Sequence, residues 1–412
     1  MEYGCIGERL GHSFSAQIHS KLFDYKYELL EIAKEDLDAF MKAKDFKAIN
    51  VTIPYKQDVI PYLDYIDETA REIGAVNTIV NKGGKLYGFN TDFSGLTALI
   101  KKAGVEIKNK KVLILGSGGT SKTAKAVAQS LGAKEAYRLS RSDSEDTITY
   151  DKALKNHTDA EVIINTTPCG MYPNLNGVAI DIDKFPSLSG VIDAVYNPLR
   201  SELVLKAREK GIKAIGGLYM LISQAAFAAE KFVGEKVAEK KVDRIYNEMV
   251  KEKENIVLIG MPSSGKTTVG RILAYKLKKE FVDTDEEIVR LFGKDIPQIF
   301  KEMGESGFRV LESKVIETVS SRQNLVLATG GGAILRKENV DNLKKNGRVY
   351  FIDRPLESLT VTSDRPLSSN KIDLQKRYNE RYEIYKSSCD FAVCGDKTPE
   401  DFANMILEEF MK

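Results

Sequence analysis

Two stretches limit most strongly what this chain can fold into. KVLILGSGGTSKTAKAVAQSLGA (111–133) and IVLIGMPSSGKTTVGRILAYKL (256–277) each run from an apolar, β-branched segment through a glycine-rich loop into a helical segment. Such a loop gathers free N–H groups at a helix N-terminus, where the peptide dipoles favour anions, so each unit predicts a phosphate-binding edge of a sheet. EAYRLS, EVIINTTP (161–168) and GVIDAVYNP (190–198) add strands after the first unit, alternating with helical stretches. That alternation predicts an α/β fold with a parallel, doubly wound sheet. After the second unit, KEFVDTDEEIVRLF, NLVLATGGGAIL and RVYFID each set a strand end beside polar or glycine residues, which predicts one domain of about four or five parallel strands.

A length of 412 residues allows about two to four domains. The clearest seam is Glu235 to Asn255, rich in Lys and Glu, which ends abruptly at the apolar IVLIG. We expect a boundary near residue 250. Upstream, residues 1–95 read as a separate α/β lobe, with AINVTIPYK and GAVNTIV its most regular pieces, and 96–216 as the nucleotide lobe. A helix from Gly217 through LISQAAFAAEKF is expected to pack back onto the first lobe, so that 217–250 joins it. Residues 251–412 form the last domain.

Composition excludes several classes. Sixty-one Lys and Arg stand against 59 Asp and Glu, a net charge of +2, which lacks the concentrated basic surface of a nucleic-acid binder. No run is long and apolar enough to span a membrane, and Met1 to Ser20 lacks the pattern of a secretory signal. A cytoplasmic location is expected. The four cysteines show no C-x-x-C spacing and read as reduced thiols rather than a zinc site or disulfide framework.

In the first loop, Gly116 permits the tight turn and Gly118 a close approach of backbone to pyrophosphate, although the third position of G-x-G-x-x-G is Ser121. Alone, that loop also fits a bare structural turn. The end of EAYRLS carries no acidic residue for a ribose hydroxyl but reads Ser140, Arg141, Ser142, a guanidinium between two hydroxyls, which suits a 2'-phosphate and points to NADP rather than NAD.

GHSFS (11–15), NVTIPYK (50–56), GAVNT (74–78), GFNTD (88–92), GSGGTSK, INTTPCGM (164–171) and GLYMLISQAA (217–226) follow the order and spacing of shikimate dehydrogenases, which the first half closely resembles. The resemblance implies a two-lobed dehydrogenase with a Rossmann-like NADP lobe acting on 3-dehydroshikimate and shikimate. Lys56 and Asp92 would be its proton-transferring pair, the carboxylate orienting the ammonium, as reduction of a ring ketone requires. Ser13 and Ser15 would bind the substrate carboxylate, Thr52, Asn77 and Gln224 its ring hydroxyls, and Tyr196 would close on it. The NADP contacts implied are Gly116, Ser117, Gly118, Gly119 and Thr120 in the loop, Ser140, Arg141 and Ser142 after the second strand, and Ala194 and Gly217. His12 receives no role. Asp143 and Glu145 depart from the family's basic pattern and are expected to weaken the preference for NADP, while Thr120 and Ser121 alter packing more than chemistry.

GMPSSGKT (260–267) fits G-x-x-x-x-G-K-[ST] between strand and helix. Ser263, Ser264, Gly265, Lys266, Thr267 and Thr268 would hold ATP, with Lys266 at the transferring phosphoryl and Thr267 on Mg2+. VDTDEEI (282–288), GFRVLE (307–312), TGGGA (329–333), DRPL (364–367) and RYEIYKSSCD (381–390) resemble, in order, the blocks of shikimate kinases, which implies a P-loop domain like the nucleoside-monophosphate kinases. By that resemblance Arg309 and Arg381 bind the shikimate carboxylate, Asp285 the ring hydroxyls, and Gly331 and Gly332 admit substrate against the backbone. Asp283 supports the Mg2+ from behind Thr267, and Arg365 joins Lys266 as a clamp carried on a short lid, TVTSDRPLSSNK. The sequence therefore reads as a bifunctional enzyme of chorismate biosynthesis. The alternatives are a dehydrogenase using quinate or NAD, and a kinase-like domain that senses shikimate and ATP without turnover.

Overall fold

The computed structural model describes residues 1–11, 14–359 and 371–412. The chain divides into two compact units, Met1–Glu248 and Met249–Lys412. No helix among the described residues is long and apolar enough to cross a membrane.

The first unit contains two six-stranded sheets. One is built from β1 (Tyr3–Gly7), β2 (Tyr27–Glu31), β3 (Ala48–Val51), β4 (Tyr65–Ile66), β5 (Thr78–Lys82) and β6 (Lys85–Phe89), in the order β2-β1-β3-β5-β6-β4. β1 runs parallel to β2 and β3, whereas β5 is antiparallel to both β3 and β6. AINVTIPYK is strand only as far as Val51. Pro54 has no N–H to offer a ladder, and the chain turns over the end of the sheet, carrying Thr52 and Lys56 with it.

The other sheet holds β7 (Lys111–Leu115), β8 (Glu135–Ser140), β9 (Thr147–Thr149), β10 (Val162–Asn165), β11 (Gly190–Asp193) and β12 (Lys213–Ile215). All are parallel, in the order β12-β11-β10-β7-β8-β9, so the order reverses beside β7 and opens a crevice at the carboxyl ends of β7 and β10. Helix Leu218–Val233 leaves this sheet and packs back on helices Thr91–Ala103 and Ser15–Leu22.

The second unit has one sheet of β13 (Asn255–Ile259), β14 (Glu280–Asp283), β15 (Leu325–Ala328), β16 (Gly347–Asp353) and β17 (Phe391–Cys394). These five strands are parallel throughout, in the order β14-β15-β13-β16-β17. Both faces are covered, as a parallel sheet requires: Val257, Ile259, Leu327 and Phe351 join one apolar cluster, and Ile256, Leu258, Val326 and Tyr350 the other.

A polar residue sits inside the apolar packing of the first lobe. His19 is 1% exposed, stacks on Tyr27 at 3.9 Å between ring centroids, and shares a 2.5 Å hydrogen bond with Tyr25. Burial pulls its pKa from 6.5 down to about 3, so the folded protein holds a neutral imidazole. On acidification the unfolded chain takes up this proton first. The contribution to stability is therefore complete above about pH 6.5 and is lost as pH falls toward 3. His19→Phe should flatten the acid slope of unfolding of the Met1–Glu248 unit in that window while costing about 1 kcal/mol near neutrality through the lost Tyr25 bond. Urea unfolding at a series of pH values tests this, and an unaltered acid slope would refute it.

Candidate active sites

Asn90 caps helix Thr91–Ala103, its Oδ1 accepting the Phe93 N–H at 3.2 Å, and so places Asp92 in the first helical turn, where the dipole favours a carboxylate. The turn after β3 brings Lys56 to it, and Lys56 Nζ lies 2.6 Å from Asp92 Oδ2. The two side chains retain 21% and 12% of their exposure, too little to read the pair as an ordinary surface bridge.

The pair lines a cavity of about 380 Å³ between the two lobes of the first unit. Ser15, Thr52, Asn77, Tyr196 and Gln224 line the same cavity, together with Thr120, Ala194 and Gly217 from the nucleotide lobe. Ser13 lies outside the described residues. Asn77 Oδ1 is already committed to the Thr91 N–H at 2.7 Å and to the Thr78 hydroxyl at 3.1 Å, which leaves its amide N–H groups for a ligand. Gln224 is committed the other way: its Nε2 donates to Leu221 O at 2.9 Å, leaving the carbonyl oxygen as an acceptor. Burial keeps the Tyr196 phenol protonated and thus a donor.

Sequence reasoning missed three lining features here. Cys5 and Arg9 face the cavity, the Cys5 thiol pushed by burial to about 12 and therefore neutral. Asn50 braces the floor, accepting from Tyr27 Oη at 2.7 Å and donating to Thr78 Oγ1 at 3.1 Å. Asn50 was visible within NVTIPYK, but nothing local says that its side chain turns inward.

In the nucleotide lobe, Gly116 takes φ of 116°, a conformation that favours glycine, and the helix Gly119–Ser130 begins directly after Gly118. Beneath this loop lies Arg138 on β8, 5% exposed. Its Nε donates to Ser121 Oγ at 3.0 Å and its Nη2 to Ser117 O at 2.8 Å, while Ser121 Oγ donates to Gly118 O at 2.7 Å. Ser121 thus does more than pack, because it is half of a brace that holds the loop open. Arg141 is exposed beyond the strand end, between Ser140 and Ser142. Asp143 is turned to Lys152 and to the Thr149 N–H at 3.1 Å, so its charge is neutralised locally. At the end of β11, Asp193 is fully buried, and burial pushes its pKa up to about 6. It accepts from Asn165 Nδ2 and from the Val195 N–H, both at 2.9 Å, and from Ser201 Oγ, tying together the strand ends beside Ala194.

In the second unit the loop after β13 turns through Ser263 at φ 63° and Gly265 at φ 93° before helix Lys266–Leu277. Lys266 is buried, and its Nζ donates to Gly260 O and Met261 O, both at 2.9 Å. Ser264 Oγ is buried without a hydrogen-bond partner inside the loop, and Thr268 continues the helix. Thr267 Oγ1 donates to Asp283 Oδ2 at 2.7 Å, and Asp283 Oδ1 caps the next helix through the Asp285 N–H at 3.0 Å.

The opposite wall comes from helix Ile296–Ser320, the glycine loop after β15, and helix Lys371–Ser388. Arg381, 6% exposed, donates to Gly331 O at 3.1 Å. Arg309 lies against Gly332, where any Cβ would stand 2.2 Å from its guanidinium and would have to push that side chain from its place. Asp285 approaches the neighbouring Gly330 in the same way. The structure therefore gathers Asp285, Arg309, Gly331, Gly332 and Arg381 around one loop. Arg365 and the lid segment through Asn370 lie outside the described residues. Glu312, missed from sequence, is fully buried and holds Arg309 Nη1 at 2.7 Å; burial raises its pKa against the pull of that arginine. Its i,i+3 spacing from Arg309 within GFRVLE was the available signal.

Residues 5–79 match the family model of the shikimate dehydrogenase substrate binding domain, and residues 262–411 that of shikimate kinase. A shikimate dehydrogenase (NADP(+)) of Clostridium perfringens is 37% identical over 265 residues, covering 60% of this chain and 97% of that protein. Among solved structures, a chorismate mutase/shikimate 5-dehydrogenase fusion protein from Clostridium acetobutylicum is 38% identical with a TM-score of 0.57, covering 60% of this chain and 96% of that one. A quinate dehydrogenase from Corynebacterium glutamicum in complex with NAD is 26% identical with a TM-score of 0.55, covering 61% and 98%.

The Arg138 brace yields a test. Arg138→Leu removes both loop hydrogen bonds and should weaken dinucleotide affinity about tenfold. Fluorescence titration with NADPH measures it, with phosphate-loop function in the second unit as the internal control. Unchanged affinity would reduce Arg138 to a packing residue.

Proposed function

The chain belongs to the shikimate dehydrogenase family and carries a shikimate kinase domain behind that unit, making it a bifunctional enzyme of the shikimate pathway; on that premise we propose that the first unit reduces 3-dehydroshikimate to shikimate with NADPH and the second phosphorylates shikimate at its 3-hydroxyl with MgATP. The observation that carries this reading is the Lys56–Asp92 pair at 2.6 Å, half-sheltered in a cavity whose other polar groups suit a polyhydroxylated acid. In domain terms, residues 1–95 with 217–250 form the substrate lobe, 96–216 the NADP lobe and 251–412 the kinase. Both reactions are assigned to the cytoplasm.

In the dehydrogenase, bound NADPH supplies hydride to the ring carbonyl carbon. Lys56 gives a proton to the carbonyl oxygen as charge develops there and recovers one in the reverse direction, while Asp92 keeps the ammonium aimed. Ser13 and Ser15 anchor the substrate carboxylate. Asn77 donates to a ring hydroxyl, Gln224 accepts from another, and Thr52 and Tyr196 complete the enclosure. Ser117, Gly118, Gly119 and Thr120 hold the pyrophosphate over the helix N-terminus, and Arg141 with its two serines takes the 2'-phosphate.

In the kinase, ATP supplies the phosphoryl group. The loop N–H groups around Ser263 to Gly265 would cradle its phosphates, and Lys266 would hold the transferring phosphoryl group. The Thr267 hydroxyl, backed by Asp283, fits a Mg2+ site in which a hard cation takes oxygen ligands and neutralises phosphate charge. Asp285 orients the attacking hydroxyl and accepts its proton. Arg309 and Arg381 hold the carboxylate, with Glu312 fixing the Arg309 fork, and Arg365 completes the clamp on the triphosphate.

Supplying 3-dehydroshikimate, NADPH and MgATP together should yield shikimate 3-phosphate, and failure to form it would overturn the proposal. Lys56→Ala should slow the dehydrogenase by about a hundredfold or more and leave the kinase intact. Lys266→Ala should do the converse, and an unimpaired kinase rate would exclude the loop from phosphoryl transfer. The NAD-bound quinate dehydrogenase among the similar structures favours one competing reading of the first unit. Rates with shikimate and quinate, each with NADP+ and NAD+, decide it: faster turnover of quinate with NAD+ would replace the assignment.

A further inference from the structure

Among the described residues, the charged side chains that line the cleft of the first unit are Arg9, Lys56 and Asp92. Lys56 and Asp92 answer each other at 2.6 Å. Arg9 makes no ion pair, and its side chain no hydrogen bond, with any described residue. Two cations against one anion leave the cleft with a surplus of one positive charge. The fold fixes where that charge stands. β1 and β3 run parallel with Ile6 paired to Val51, so the segments leaving their carboxyl ends emerge side by side. The Thr52 N–H donates to Ile6 O at 3.0 Å and the Ile32 N–H to Gly7 O at 2.9 Å. Just beyond Arg9, the Leu10 N–H donates to Glu31 Oε1 at 2.7 Å. The backbone is therefore pinned on both sides of Arg9, and its exposed side chain stands at the mouth of the cleft, in a lining shared with Thr52 and Ser15.

We propose that Arg9 determines specificity in the dehydrogenase: its guanidinium pairs with the substrate carboxylate at the mouth of the cleft, beside Ser15, and so selects the acid over neutral rings of the same shape. The role rests on the dehydrogenase reading of the cleft and names what balances the charged end of its substrate. Serine hydroxyls donate to a carboxylate but carry no charge to set against it. An anion entering a half-enclosed cleft loses hydration, and a planar guanidinium fork replaces that hydration with charge-assisted hydrogen bonds. A monoanion also brings the described charges of the cleft to zero, which a neutral guest does not. The carboxylate is not on the carbon that exchanges hydride, so a contact to it is made alike in the bound substrate and the transition state. Its loss should bear on KM more than on kcat.

The test compares shikimate with its methyl ester, which keeps the ring and its hydroxyls but has no charge, on the full-length protein with NADP+. Arg9→Gln should raise KM for shikimate about three- to tenfold, less than a buried pair would lose because the position is exposed, with a smaller change in kcat. For the ester, kcat/KM should be nearly the same in Arg9→Gln and the parent. The preference for acid over ester then falls by about the same three- to tenfold factor, and Arg9→Lys, which restores the charge without the fork, should recover part of it. A merely structural role would move acid and ester together, and that outcome overturns the assignment. So does a rise in KM for NADP+ in place of shikimate. If the parent turns over neither acid nor ester, the dehydrogenase reading of the cleft fails and takes the role of Arg9 with it. Turnover of shikimate by the parent, with an acid preference that Arg9→Gln leaves unchanged, sinks Arg9 alone.

Discussion

Lys56 and Asp92 reach each other from different kinds of structure, one from a turn that leaves a strand at a proline, the other from the first turn of a capped helix. Their separation of 2.6 Å requires that both elements hold their places. Behind Lys56 stands the sheet, with Asn50 tying β3 to β2 across the intervening β1 through Tyr27, and to β5 through Thr78. Behind Asp92 stands the packing of its helix on Leu218–Val233, which brings Gln224 to the same cavity and returns the chain from the nucleotide lobe to the substrate lobe. The cleft exists because one helix closes that circuit.

The second unit uses the same economy with different parts. Its glycine loop is held by Lys266, whose ammonium satisfies loop carbonyls, and the facing wall carries Arg309 and Arg381, each tied to a neighbour on another element or turn. Burying an arginine costs a large desolvation energy unless its donors are met; Glu312 takes Arg309 Nη1 and Gly331 O takes Arg381 Nη1, while the buried Arg309 Nε finds no partner among the described residues. On the reading proposed for this site, a guanidinium aimed in advance binds a carboxylate at a smaller cost in ordering. The Arg138 brace beneath the first glycine loop is a third case, with hydroxyl and carbonyl acceptors in place of an acid.

Much of this was readable from residue order. Strand, glycine loop and helix are local signals; the second loop announced itself through spacing alone, whereas the first needed the residues after the next strand and the blocks around it. The strands EAYRLS, NLVLA and RVYFID carry enough apolar and β-branched residues to be recognised without partners. AINVTIPYK shows the limit: its composition reads as one extended piece, yet the missing N–H of Pro54 ends pairing and sends Lys56 toward the cleft. Glu312, Arg138 and Asn50 were less visible still. A buried polar side chain is distinguished from a surface one by what surrounds it, and that information lies on other elements.

Sequence by itself determined the α/β character, the two phosphate loops and the residue types that an acidic, polyhydroxylated substrate demands, because each depends on neighbours a few positions apart. Only the tertiary structure decided which of those residues share a cavity, that Asn77 offers N–H groups while Gln224 offers a carbonyl, and that Ser121 answers a buried arginine. Those outcomes depend on how helices cross and strands are ordered: Lys56 meets Asp92 across 36 positions and Arg138 meets Ser121 across 17, and the local Gln224–Leu221 bond matters only because its helix borders the cleft, which no local pattern encodes.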